Sequence, residues 1–167
     1  MTGVWVTRSG EQGERDRWAW QGCYSGGGWA NVPDLSDFTS QAAIESLVQR
    51  TFETASAGRR SAYSRQLWAL RNEIVPGNLI ILPMKTTREL ALGRVTSTYL
   101  YLAEEKDLAC RHVVRVAWEK RVPRSTLQQD LLYSLGAGTS IFAISRNRAL
   151  ERVENVLTDG KDPGSFR

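Results

Sequence analysis

Apolar residues recur at helical spacing in the second quarter of the chain and at alternate positions through its middle. Over residues 39–52, Ala43, Ile44, Leu47, Val48 and Phe52 share one helical face, which predicts an amphipathic helix. A break over 57–60 separates it from a second expected helix, 61–73, where Tyr63, Leu67, Leu70 and Ile74 form the stripe and Trp68 lies beside it. From Asn78 the period changes to two. Residues 78–84, 90–101 and 113–122 read as three strands of one antiparallel sheet.

The flanks are shorter elements. Val4, Trp5 and Val6 predict a first strand over 3–7, and 14–20 a short helix. The run 24–29 passes through Gly26, Gly27 and Gly28 and reads as a loop whose backbone can come close to a ligand. Ser125 with Gln128 forms a capping-box pattern for a helix to Ser134, followed by a strand over 140–144 and a closing helix over 146–157. Residues 158–167, with Gly160, Pro163 and Gly164, read as a linker or disordered tail leading toward an effector, so the domain is expected to occupy 1–157.

Composition narrows the function classes. A chain of 167 residues, 41% hydrophobic and 24% charged, suits one folded domain. It carries no basic leader with an apolar run and no stretch long enough to span a membrane, so a cytoplasmic location is expected. Cys23 and Cys110 lack metal-type spacing, and His112 is the only histidine. No carboxylate cluster stands beside a lysine on a strand, as a metal-dependent nuclease needs, and no paired cysteines provide a deaminase zinc site. The expectation is a non-enzyme with no metal and no cofactor. Net charge is +4, and of 22 basic residues all but Lys85, Lys106, Lys120 and Lys161 are arginine. That bias suits phosphate and base contacts and also follows from GC-rich codons.

Several segments, in order, resemble the amino-terminal domain of Mrr-type modification-dependent restriction proteins. That domain is a branch of the PUA-like superfamily, with the EVE, YTH and SRA readers. The resemblance covers about 3–144 and rests on Trp5-Val6-Thr7-Arg8-Ser9-Gly10, Gly28-Trp29, Gln66-Leu67-Trp68, Gly77-Asn78-Leu79-Ile80-Ile81, Gly93-Arg94-Val95 with Tyr99 and Tyr101, and His112-Val113-Val114-Arg115-Val116-Ala117-Trp118. It implies an α+β fold built on a small curved PUA-like β-barrel of about five or six strands flanked by helices. It also implies binding of double-stranded DNA carrying a modified cytosine or adenine, flipped into an aromatic cage, as the targeting module of a restriction system whose nuclease is fused elsewhere. A YTH-like RNA reader and a non-binding assembly domain are the alternatives. Asn78 stands where the family has Asp, and Ser25 with an extra glycine replaces an apolar strand before Gly-Trp.

An extruded base needs aromatic walls and polar edge contacts, since unstacking it costs a few kcal/mol. Trp29, at the end of the glycine run, is the expected first wall, with Tyr99, Tyr101 and Trp68 as further candidates and Ser9 and Asn31 as polar readers. Arg8, Arg59, Arg60, Arg65, Arg111, Arg115 and Arg124 are the candidates for the nucleic-acid backbone.

Overall fold

The structure is a computed structural model and describes residues 2–165. It is α+β: one curled, half-barrel sheet with helices on both faces. The strands are β1 (Val4–Thr7), β2 (Tyr24–Gly26), β3 (Leu79–Met84), β4 (Glu89–Val95), β5 (Leu100–Tyr101), β6 (His112–Pro123) and β7 (Ile141–Ile144). Six follow the spatial order β2-β6-β4-β3-β1-β7, and the two-residue β5 pairs with β6. The helices are α1 (Asp16–Gly22), α2 (Gln41–Thr51), α3 (Ala57–Trp68), α4 (Gln129–Ser134) and α5 (Ala149–Asp159).

Strand alternation divides the core in two. Val4, Val6, Leu79, Ile81, Leu90 and Leu92 face α4 and α5, meeting Leu131, Leu135, Val153 and Val156. The intervening Trp5, Ile80, Val95, Val114 and Val116 face α2 and α3, meeting Ile44, Leu47, Val48, Leu67 and Leu70. Because both faces are covered, β3 is buried at every position and reads as a continuous apolar run. Each such aliphatic side chain contributes roughly 1.5–3 kcal/mol. β3 lies parallel to β1 and antiparallel to β4, which in turn is antiparallel to β6.

The register slips between Leu92 and Gly93, where a bulge lets β6 bend across the sheet. A Cβ on Gly93 would stand 2.5 Å from the Ala117 carbonyl oxygen, so only glycine fits this approach. Asn78 also has a precise role. Its Oδ1 accepts from Trp5 Nε1–H at 3.2 Å and from Val75 N–H at 3.3 Å, which ties β1 to the turn before β3.

The structure differs from expectation at five places. The glycine run contains β2, whose Tyr24, Ser25 and Gly26 pair with Arg115, Val114 and Val113. α3 starts at Ala57 because Ser56 Oγ caps it, accepting from Arg59 N–H, and it passes into a wider turn over Ala69–Glu73. The strand expected over 90–101 breaks after Val95. The capping box does not form: Ser125 lies in a separate turn, and Gln128 N–H donates to Asp162 Oδ2. Residues 158–165 are packed: Thr158 and Asp159 finish α5 and Asp162 is buried, while 166–167 lie outside the described residues. No helix among the described residues is long and apolar enough to cross a membrane.

Candidate functional site

Of the expected cage residues, Trp29 remains available. It sits with φ near +59°, partly exposed, just after Gly27 and Gly28. Tyr63 and Phe52 meet its ring edge-on, at centroid distances of 5.5 and 6.5 Å, and no ring among the described residues is stacked on it. Asn31 is exposed nearby in sequence. Trp68, at the end of α3, is partly buried against the core that α2 and α3 cover, and no ring contact among the described residues joins it to Trp29.

Tyr99 is instead a core residue, only 8% exposed. Its hydroxyl accepts from Leu35 N–H at 3.1 Å and bonds His112 Nδ1 at 2.7 Å, and His112 Nε2 bonds the Val32 carbonyl at 2.9 Å. The carbonyl can only accept, so Nε2 carries the proton and Nδ1 accepts from Tyr99. Burial pushes the His112 pKa below its ordinary value and the Tyr99 phenol above its own, which keeps both neutral. Tyr99 therefore cannot serve as a cage wall, because its polar end is committed to pinning the loop that carries Val32 and Leu35. Tyr101 packs its ring 5.2 Å from that of His112, and its hydroxyl accepts from Arg111 Nη1–H at 3.2 Å. Ser9 is buried as well, and its carbonyl accepts from Arg15 N–H.

The arginines divide in the same way. Arg8 donates to the carbonyls of Leu135, Ala137 and Thr139, which fastens the loop between α4 and β7. Arg60 donates to Glu53 and Ala55 and closes the loop between α2 and α3, while Arg111 donates to Glu105. These three are structural, contrary to the expectation of free phosphate contacts. Arg59, Arg65, Arg115 and Arg124 are exposed; Arg65 reaches Ser61 on its own helix, and Arg115 lies over the Tyr24 ring at 5.4 Å.

Arg15 was not among the expected residues. It precedes α1, and its guanidinium lies along the glycine run: a Cβ on Gly27 would be 2.8 Å from its Nε, and one on Gly28 3.3 Å from its Nη2. Trp18 touches the same spot, stacked on Tyr24 at 5.2 Å. The glycines are thus needed for the close approach of a cation and an indole. Arg15 Nε and Trp18 Nε1 are buried without a partner, and the Arg15 side chain makes no hydrogen bond or ion pair among the described residues. A buried donor left in this state costs about 1–3 kcal/mol, and more when charged. The adjacent Asp16 does not pair with it. Its Oδ2 accepts from Thr86, its Oδ1 is unpartnered, and burial raises its pKa. No group of three or more His, Cys, Asp and Glu among the described residues could hold a metal ion.

A chain folded around this half-barrel belongs to a family described as a domain of unknown function, DUF8426, whose model matches residues 5–135. A solved structure, the crystal structure of protein Atu2648 from Agrobacterium tumefaciens, is similar at 13% identity and a TM-score of 0.42, over 97% of this chain and 99% of that one. No curated protein matches.

Proposed function

We propose that the domain binds nucleic acid and reads one base drawn out of the strand, with Arg15 as the polar reader and Trp29 as an aromatic wall. The observation that supports this most is the planar Arg15 cation, laid on a backbone shelf of Gly27 and Gly28 with no side-chain hydrogen bond among the described residues. A base edge offers acceptors in the geometry of a guanidinium fork, and stacking on an indole adds roughly 1–3 kcal/mol. In this reading the domain is a targeting module without catalysis of its own, and cleavage would belong to a separate effector. In a restriction setting the substrate is double-stranded DNA with a modified cytosine or adenine.

The test is a binding panel followed by tryptophan fluorescence, using one duplex unmodified, cytosine-modified or adenine-modified, and a matching RNA. One modified duplex should bind at least tenfold tighter than the unmodified one. Trp29→Ala should weaken that complex about 5- to 100-fold and the unmodified one much less, and Arg15→Met should abolish the preference. Preference for the RNA moves the reading to an RNA reader. Equal binding of all four, or none, leaves an assembly domain as the better account.

A further inference from the structure

A cleft of about 660 Å³ lies at the C-terminal end of β3, between the turn after β3, the end of β6 and the loop after α4. Arg8, Lys85, Arg88 and Arg124 line it, over a partly apolar floor that includes Met84 and Leu135. Arg8 and Lys85 also line an adjoining cleft of about 410 Å³ beside Gly138–Ser140, so the two are joined at those cations. The negative charge nearby is small. Glu89 is engaged by Arg121 at 2.6 Å, Glu11 lines only the smaller cleft, and Glu14, which feels the charge of Lys85, accepts from Gln12 N–H.

The four cations are not equivalent. Arg8 donates to three carbonyls and Lys85 to the Glu11 carbonyl, so these two supply field more than contacts. Arg88 and Arg124 have exposed side chains with no hydrogen bond, ion pair or ring contact among the described residues. Arg124 N–H donates to the Arg88 carbonyl at 3.1 Å, so the two free arginines are held side by side. Arg88 has φ near +56°, a left-handed turn position where Asn or Gly is the easier residue. Arg124 depresses the Arg8 pKa further, beyond the effect of Arg8's own burial, so the cations repel one another across the cleft. A concave surface with this surplus of charge is stabilised by whatever anion enters it.

We propose that this cleft is a phosphate-binding site, in which Arg88 and Arg124 contact the oxygens while Arg8 and Lys85 hold the field. The phosphate can come from a nucleic-acid strand or from a free nucleotide. The site stands independently of the base-reading role of Arg15, and the probe can be chosen to separate them: a single-stranded deoxyribose-phosphate oligomer without bases.

Fluorescence anisotropy of that labelled oligomer should show binding that weakens with salt. The double variant Arg88→Asn with Arg124→Gln should bind it at least tenfold more weakly, with the slope of log affinity against log salt reduced by about two. Arg15→Met should bind it like the wild type. Asn keeps the left-handed turn, and an unchanged thermal midpoint confirms that the fold survives. Competition by ATP or pyrophosphate at concentrations below those of the oligomer assigns the site to free phosphates; failure to compete assigns it to a strand. Wild-type affinity in the double variant, or no binding of oligomer, ATP and pyrophosphate by the wild type, overturns the proposal.

Discussion

Two arginines, one before α1 and one on α5, show how burial and partnership separate. Arg152, on α5, is fully buried, and all five of its N–H donors are used: Nε and Nη2 by Asp162, Nη1 and Nη2 by Asp130, and Nη1 by the Asn147 carbonyl, at 2.8–3.0 Å. Arg15 is partly buried against the glycine run and donates none of its five to a partner among the described residues. The first is a closed knot that fastens α4, α5 and the following segment to one another. The second buries one guanidinium N–H without a bond, and that imbalance is the feature on which the proposed base-reading role rests.

The largest effect should come from opening the knot. Arg152→Leu leaves the fully buried Asp162 without its counter-charge and should destabilise the protein by about 3–5 kcal/mol in urea denaturation. A loss below about 1 kcal/mol would show that the knot is as dispensable as the Arg15 contacts, and the contrast would collapse. Acid tests the same feature. Arg152 holds the Asp130 pKa down to about 2, and it holds Asp162 below the ordinary value even though burial acts the other way. These folded values lie below the unfolded ones, so the contribution is complete above about pH 4 and is lost as pH falls toward 2.

A smaller effect is expected at Tyr99. Tyr99→Phe removes the partner of Leu35 N–H and of His112 Nδ1 and should cost about 1–3 kcal/mol. As Tyr99 is buried, base binding should change less than threefold. The neutral His112 adds a pH dependence of its own: its folded pKa is lowered, the unfolded chain takes up a proton first, and stability falls as pH drops below about 6.5. A thermal midpoint unchanged between pH 7.5 and 5.5 would contradict this account of the Tyr99–His112 pair.

The sequence carried most of the sheet because β3, β4 and β6 keep a period of two, and α2 keeps its stripe with Ser40 as cap. β2 was hidden because Gly26 has no side chain to show alternation and its pairing with Val113 is a backbone property. The start of α3 is obscured because Gly58 and the polar Arg59 and Arg60 interrupt the stripe, although Ser56 supplies a cap. The site was less legible for a similar reason. Trp29 after three glycines was a local signal, whereas the difference between Arg8, held by three carbonyls, and Arg15, whose side chain has no hydrogen bond among the described residues, depends on contacts distant in sequence. One signal was present: Trp18 and Trp20 lie three and five residues after Arg15, and a cation near aromatics and opposite glycines suits a planar ligand.

The smallest effect on stability, and the sharpest test of the comparison, is expected at Arg15 itself. Met has a flexible unbranched side chain that can occupy the space of the arginine stem against Gly27 and Trp18, so Arg15→Met retains much of the packing. It also removes a buried donor that has no acceptor, a change that favours the folded state. The two contributions oppose any lost contact, and the free energy of unfolding should stay within about 1 kcal/mol of the wild type. Should Arg15→Met destabilise by more than about 2 kcal/mol, the guanidinium is serving the fold and the resemblance to Arg152 is closer than its missing bonds suggest. A neutral or stabilising result, together with loss of the preference for one modified duplex, is the outcome that a residue kept for binding at the expense of stability requires.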